Sequence, residues 1–409
     1  MIKRATALAA TLALTAPAVA HAGFKEHVKV LWQHTGEAGK YYAWGVAPLE
    51  DINHDGADEV IAGEPGAMPS DDPGWVWVQS GRTGRTIHRF EGKAGDQNGF
   101  AITDAGDIDR DGVHDVLSGA PRQNADTEGH AYLYSGRTGR LLHTFAGATT
   151  GDGFGTAVTS ADVNRDGRND LVIGAAFAPG GGLASVYSGR TFKLLYTIPP
   201  PDTTHLFGYG TGMTEDLDRD HVPDLIVGGG GTAYVFSGRD GHMLFPLPGP
   251  AAPRQFGTFF LAGVGDLNHD HVPDLYGGDY AAGDGGALGG FAGVYSGRDG
   301  TLLHSWFGSE PGAGLGPGRG AGDVDRDHRP DLAIGSYQSD EGGPDAGKIE
   351  LYSGATGAKL RTITSTTAGE NLGFDAVGMG DVNRDRRPDL LASAAEGDTV
   401  YMIAGKRRR

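Results

Sequence analysis

The 409-residue chain contains no cysteine. That absence excludes disulfide staples, thiolate metal sites, a cysteine nucleophile and the lipid-modified cysteine of a bacterial lipoprotein. Basic residues are in deficit. Lys and Arg number 34 against 52 Asp and Glu, a formal charge of −18, so the chain lacks the basic stripe a nucleic-acid binder needs. No helical periodicity stands out, and beyond the first residues no apolar run reaches the ~20 residues of a spanning helix without charges or glycines. Enzyme signatures are missing as well: there is no GxSxG elbow, HExxH or Ser/Lys set. Residues 342–348 imitate a phosphate-binding loop, but Ile349 stands where Ser or Thr is required. The histidines are scattered, and no catalytic residue is assigned.

What the chain has in excess is glycine, 71 residues, alongside 21 prolines. Without a period such a share would suggest disorder. A period is present, preceded by a leader-like segment. Lys3 and Arg4 open the chain, residues 5–19 are apolar, and Ala20-His21-Ala22 offers small residues for cleavage. Residues 1–22 are therefore expected to be a secretory signal peptide, with residues 23–409 forming a single secreted or periplasmic domain.

Seven acidic segments recur at intervals of 50 to 58 residues: DINHDGADE from Asp51, DIDRDGVHD from Asp107, DVNRDGRND from Asp162, DLDRDHVPD from Asp216, DLNHDHVPD from Asp266, DVDRDHRPD from Asp323 and DVNRDRRPD from Asp381. A short β-type run precedes each, and an apolar run ending in small residues follows, as in DLVIGAA from Asp170. A third run then leads through SGRTG (Ser80, Ser135), SGRDG (Ser237, Ser296) or SGATG (Ser353) into a fourth. Four strands per repeat of this length describe a propeller blade, and seven repeats predict an all-β, seven-bladed β-propeller of four-stranded antiparallel blades. The C-terminus stops where a fourth strand is due, while VKVLWQHTG from Val28 resembles one. The N-terminal strand is thus expected to complete the C-terminal blade and close the ring, leaving no open edge.

Positions 1, 3, 5 and 9 of every acidic segment carry an oxygen ligand. They are Asp51, Asn53, Asp55 and Glu59; Asp107, Asp109, Asp111 and Asp115; Asp162, Asn164, Asp166 and Asp170; Asp216, Asp218, Asp220 and Asp224; Asp266, Asn268, Asp270 and Asp274; Asp323, Asp325, Asp327 and Asp331; Asp381, Asn383, Asp385 and Asp389. Alternate side chains of a tight loop converge on one centre. Four of them with a main-chain carbonyl and a water approach the 6–8 oxygens at ~2.3–2.6 Å that Ca2+ prefers. An all-oxygen set disfavours zinc and copper. These are not EF-hands, because position 12 is never acidic and the flanks read as strands. Up to seven Ca2+ sites are expected. Gly56, Gly112 and Gly167 hold position 6 in the first three loops, where the sharp turn favours Gly. His221, His271, His328 and Arg386 hold it in the others, which predicts weaker or differently shaped sites there, with the histidines facing solvent.

At these residues the chain resembles the FG-GAP repeat family, the seven-bladed propellers at the N-terminus of integrin α subunits and of many bacterial exported proteins. The Phe-Gly element is Phe154-Gly155, Phe207-Gly208 and Phe256-Gly257. The Gly-Ala-Pro element is Gly119-Ala120-Pro121, degenerating to Ser393-Ala394-Ala395 in the last repeat. The resemblance implies the fold and calcium in the loops; for activity it implies only a range, from adhesion receptors and lectin-like proteins to propellers attached to enzymes.

With the acidic loops and SGRTG turns sharing one face, the connections of variable length share the other, where function is expected. Tyr41, Tyr42, Trp44, Trp75, Arg122, Tyr280, Tyr337 and Gln338 are the ligand-binding candidates there. Aromatic groups with a few polar partners suit sugars or peptide segments. Three readings stay open: a calcium-dependent recognition or adhesion module for an extracellular glycan or protein, a polysaccharide lyase-like enzyme, or a structural protein.

Overall fold

A computed structural model describes residues 23–67, 71–122, 128–202, 205–283 and 289–405; the expected signal segment and the basic terminal residues 406–409 lie outside the described residues. Each repeat folds into one four-stranded antiparallel sheet, its strands hydrogen-bonded in sequence order, and there are seven such sheets. Strand one of each blade adjoins strand one of its neighbours around a common axis, and blade seven (Leu372–Gly378) in turn adjoins blade one (Val46–Leu49). The molecule is a closed seven-bladed propeller.

The N-terminal strand Val30–Thr35 is the outermost strand of blade seven, pairing antiparallel with Thr399–Ile403 through contacts such as His34 with Val400. The backbone N–H of Ala404 donates to the Lys29 carbonyl at 2.9 Å, extending this closure beyond the strand ends. The two ends of the chain are thereby tied into one sheet, and the third strand of that blade has no unpaired edge.

The apolar core lies between blades rather than within them. Seven clusters of buried side chains each join two consecutive blades. Val60, Val377, Leu391 and Met402 join blade seven to blade one. A sheet covered on both faces needs strands apolar throughout rather than alternating. Strand two meets that demand: all six residues of Asp115–Ala120, Asp170–Ala175 and Asp331–Ser336 are buried. The outer fourth strands keep solvent-facing residues, as in Leu141–Ala146.

Glycine allows the blades to approach. A Cβ placed on Gly119 of blade two would lie 2.0 Å from the Gly155 carbonyl of blade three, and one on Gly335 would lie 1.8 Å from the Gly373 carbonyl. The small residue ending strand two therefore meets the glycine opening strand one of the next blade, backbone to backbone. Much of the glycine excess is explained by this contact and by the turns.

Candidate metal loops and the axial cavity

The acidic segments connect strands one and two, and the SGRTG turns connect strands three and four, so antiparallel pairing puts both at one end of the propeller. Each acidic loop is folded by its own carboxylates. In blade two, Asp107 accepts the N–H groups of Asp111 (3.0 Å) and Gly112 (2.9 Å), while Asp115 accepts those of Ile108 (2.9 Å) and Asp109 (3.2 Å). The other oxygen of Asp115 accepts the N–H of Gly136 in the SGRTG turn at 3.1 Å. The same link joins Asp170 to Gly189, Asp224 to Gly238, Asp274 to Gly297, Asp331 to Gly354 and Asp389 to Gly405. Position 9 thus ties the two hairpins of a blade together.

Position 6 is left-handed in every loop, with φ of +83° at Gly56, +68° at His221, +69° at His328 and +66° at Arg386. A different shape was expected where Gly is absent, and it is not found. His221 and Arg386 donate their N–H groups to Asp216 and Asp381 as Gly112 does to Asp107. The non-glycine loops accept the strain of this conformation, about 1–2 kcal/mol, instead of changing shape. The His221, His271 and His328 rings are exposed. Position 4 is left-handed too, as at Arg110 and His269; nothing in the motif spacing signalled that.

The carboxylates gather most tightly at Asp107, Asp109 and Asp115, at Asp216, Asp218 and Asp224, and at Asp323, Asp325 and Asp331. In each group one oxygen per residue lies within 4.8 Å of the others, an arrangement that could hold a metal ion. These are the loops with Asp rather than Asn at position 3. Position 9 is fully buried in each. Burial pushes the carboxyl up to about 7 at Asp115 and about 6 at Asp224 and Asp331, against the lowering effect of the hydrogen bonds it accepts. Glu59, its counterpart in blade one, is pushed up to about 8, again chiefly by burial. Buried carboxylates beside further carboxylates are the electrostatic setting a bound cation relieves, so the donor set fits a hard divalent ion.

Position 5 has a second partner that sequence reasoning missed. The turn arginine pairs with it in four blades: Arg82 with Asp55 (3.3 Å), Arg137 with Asp111 (3.1 Å), Arg239 with Asp220 (2.5 Å) and Arg298 with Asp270 (3.3 Å). The signal was available in the recurrence of SGR on the same face as the acidic loops.

At the opposite end the chain enters strand one through a residue of positive φ: Ala43 (+64°), Gly99 (+92°), Gly208 (+85°) and Gly373 (+90°). The side chains that follow, Trp44, Phe100, Tyr209 and Phe374, converge with Phe259 on the axis and line a cavity of about 110 Å³. Ring centroids are 4.7 Å apart for Trp44 and Phe374, 5.7 Å for Trp44 and Phe100, and 5.1 Å for Tyr209 and Phe259. Tyr337 extends the cluster from Phe374 (5.3 Å), Tyr280 from Phe259 (6.4 Å) and Tyr41 from Trp44 (5.9 Å).

A match to the FG-GAP repeat model covers residues 154–187 and 320–352, within blades three and six. The chain carries FG-GAP repeats and folds as a seven-bladed propeller. It is similar to integrin alpha pat-2 of Caenorhabditis briggsae (28% identical, over 42% of this chain and 16% of the relative), to integrin alpha-4 of Xenopus laevis (28%, over 37% and 16%) and to integrin alpha-V of Gallus gallus (31%, over 37% and 16%). The matches thus span about a sixth of the length of these relatives.

Within this propeller the ligand candidates separate. Trp44, Tyr41, Tyr280 and Tyr337 belong to the axial cluster, and Gln338 is exposed beside it. Tyr42 is a correction: it is fully buried, with its hydroxyl donating to Gln79 at 2.6 Å, because it fills the interface between blades seven and one. Trp75 lies under the Arg89 guanidinium, 3.4 Å from its ring centroid, on the flank of blade one. Arg122 is engaged by the buried Asp96 at 3.0 Å. Phe100, Tyr209, Phe259 and Phe374 were missed, although each stands seven residues ahead of an acidic loop, as Trp44 does.

Proposed function

We propose that this FG-GAP propeller is an exported, calcium-binding recognition or adhesion module that engages an extracellular glycan or protein with the face opposite its acidic loops. The division of labour between the two ends carries the reading. One end repeats the same carboxylate loop seven times and the hairpin turn six times, as a scaffold does. The other gathers unlike connections around an aromatic cavity, where variation on a rigid frame serves binding. Residues 1–22 act as the export signal, and residues 23–409 are one domain.

Calcium is held by positions 1, 3, 5 and 9 of the loops, in up to seven blades. Bound there, it supplies positive charge to buried carboxylates and so stabilises the folded ring by mass action. In a chain without cysteine it takes the place of disulfides. Chelation is expected to lower the melting temperature and added calcium to restore it; an unchanged melt in metal-stripped protein overturns the calcium part. For recognition, glycan and matrix-protein arrays are probed with the full chain, with and without chelator, beside Trp44→Ala and Tyr337→Ala variants of unchanged melting temperature. Binding lost in both variants supports the reading. Binding that survives both, or none on either array, overturns it.

A further inference from the structure

The axial cavity contains charge as well as aromatic rings. Arg319, on strand one of blade six, and Asp375, on strand one of blade seven, both line it. Arg319 Nη2 donates to Asp375 Oδ2 at 2.9 Å. That carboxylate also accepts the N–H of Val46 at 3.2 Å and, through Oδ1, that of Ala376 at 2.9 Å. Its side chain is only 3% exposed, whereas that of Arg319 is 35% exposed. The two partners are thus unequally satisfied. Asp375 is buried and surrounded by donors, while Arg319, a third exposed and lining the cavity, donates one of its five N–H groups to Asp375 among the described residues. A further unsatisfied group faces the same space: Thr211 Oγ1 is buried and without a hydrogen-bond partner.

We infer that this cavity takes the carboxylate of an acidic side chain presented by a protein partner, with Arg319 as its anchor. The inference rests on the opposite face of the propeller being the recognition face and names what that face accepts. A guanidinium fixed at one edge by a buried carboxylate is oriented in advance for a second one, and forked pairing of this kind is the stronger class of charged hydrogen bond. The apolar part of the guest lies against Trp44, Phe100 and Phe374, which exclude water and strengthen the pair. A cation meets the reverse conditions, since Asp375 is already neutralised and Arg319 repels it. Size selects the kind of partner. About 110 Å³ is smaller than the ~150 Å³ apolar cavity that accommodates benzene, a size that suits a single side chain. The seven acidic loops, which dominate the negative charge, stand at the far end of the blades.

The test is ligand-observed NMR on the full chain with four probes at millimolar concentration: N-acetylglutamic acid α-amide, its glutamine and lysine counterparts, and glucuronate. The glutamyl probe alone is expected to show saturation transfer, and its affinity is expected to fall about tenfold in Arg319→Gln/Asp375→Asn, which removes both charges together. A melting curve establishes that this double variant is folded; if it is not, Phe374→Ala, which trims the apolar wall, serves instead with the same expected loss. Equal binding of the glutamine probe overturns the role of Arg319. Preference for the lysine probe overturns the sign of charge, and preference for glucuronate overturns the protein partner. Silence from all four probes, in protein that still binds an array ligand through Trp44, overturns this inference and leaves the recognition face standing. A glutamyl signal in protein without an array ligand does the opposite.

Discussion

The hydroxyl of Ser393, ending strand two of blade seven, donates to the carbonyl of Ala43, which opens blade one. Six other blade interfaces place a glycine against a glycine at this point, from Gly63 on Gly99 to Gly335 on Gly373. The closing seam therefore replaces the glycine-on-glycine contact with a side-chain hydrogen bond. Ser393 is fully buried. Ser393→Ala is expected to cost about 1–3 kcal/mol, because the Ala43 carbonyl is left without its donor. Chemical denaturation checks this, and an unaltered midpoint would show that the hydroxyl does not hold the seam.

The glycine interfaces predict a larger penalty. Gly335→Ala puts a methyl 1.8 Å from a main-chain oxygen, and backbone cannot swing aside as a side-chain tip can. A loss of about 3 kcal/mol or more is expected, accompanied by separation of blades six and seven. By contrast, Gly320→Ala has nothing within 4 Å to meet and is expected to stay within about 0.5 kcal/mol of wild type. Two denaturation curves of equal midpoint would refute the close-approach account.

Repetition made the fold legible. Each landmark, the acidic loop, the apolar second strand and the SGRTG turn, recurs often enough for its place in the blade to be read, and the out-of-phase ends gave the closure. Contacts between blades were not legible in the same way. That Gly119 touches Gly155, or that Arg110 reaches the Asp166 carbonyl, depends on how sheets lie against one another, which no spacing along one repeat encodes. Tyr42 and Trp44 illustrate the limit. They are two residues apart and both aromatic, yet one fills a blade interface and the other the axial cavity. Only the positive φ of Ala43 between them separates their directions.

Positions 3 and 9 of the acidic loops should behave differently. Asp218→Asn keeps the acceptor for the Asp220 N–H (3.0 Å), and several sister loops carry Asn there naturally. Its stability in chelator is expected to match wild type within about 0.5 kcal/mol, with a smaller rise in melting temperature on adding calcium. Asp224→Ala strips acceptors from the buried Leu217 and Gly238 N–H groups and is expected to lose about 1–3 kcal/mol even in chelator. If both variants were neutral in chelator, the turn-folding role assigned to position 9 would be wrong.

The left-handed histidines are an avoidable strain. His221, His271 and His328 hold φ of +68°, +66° and +69°, with exposed rings. Replacing each by Gly is expected to stabilise by about 0.5–1 kcal/mol, the relief of left-handed strain less the extra entropy of glycine in the unfolded chain. Lying in separate blades, the three substitutions should add. A destabilised triple variant would indicate that the imidazoles do something the backbone does not require.

The closing strand also sets a pH response. His34 packs between Tyr42 (5.1 Å between ring centroids) and Trp77 (5.6 Å), and burial holds its pKa below the usual value. The folded seam thus prefers the neutral ring, while the unfolded chain takes up its proton as pH falls through ~6.5. The stability contributed by His34 is complete above that pH, declines as pH drops toward the lower folded value, and is constant below it. His34→Gln is expected to flatten this part of the curve of unfolding free energy against pH; identical slopes in the two proteins would exclude the contribution. Since His34 pairs with Val400 in the sheet that joins the chain ends, the lost stability is local to the closure. Hydrogen exchange at Gln33 and Tyr401 should therefore quicken on acidification before exchange in the second strands of blades three and four does.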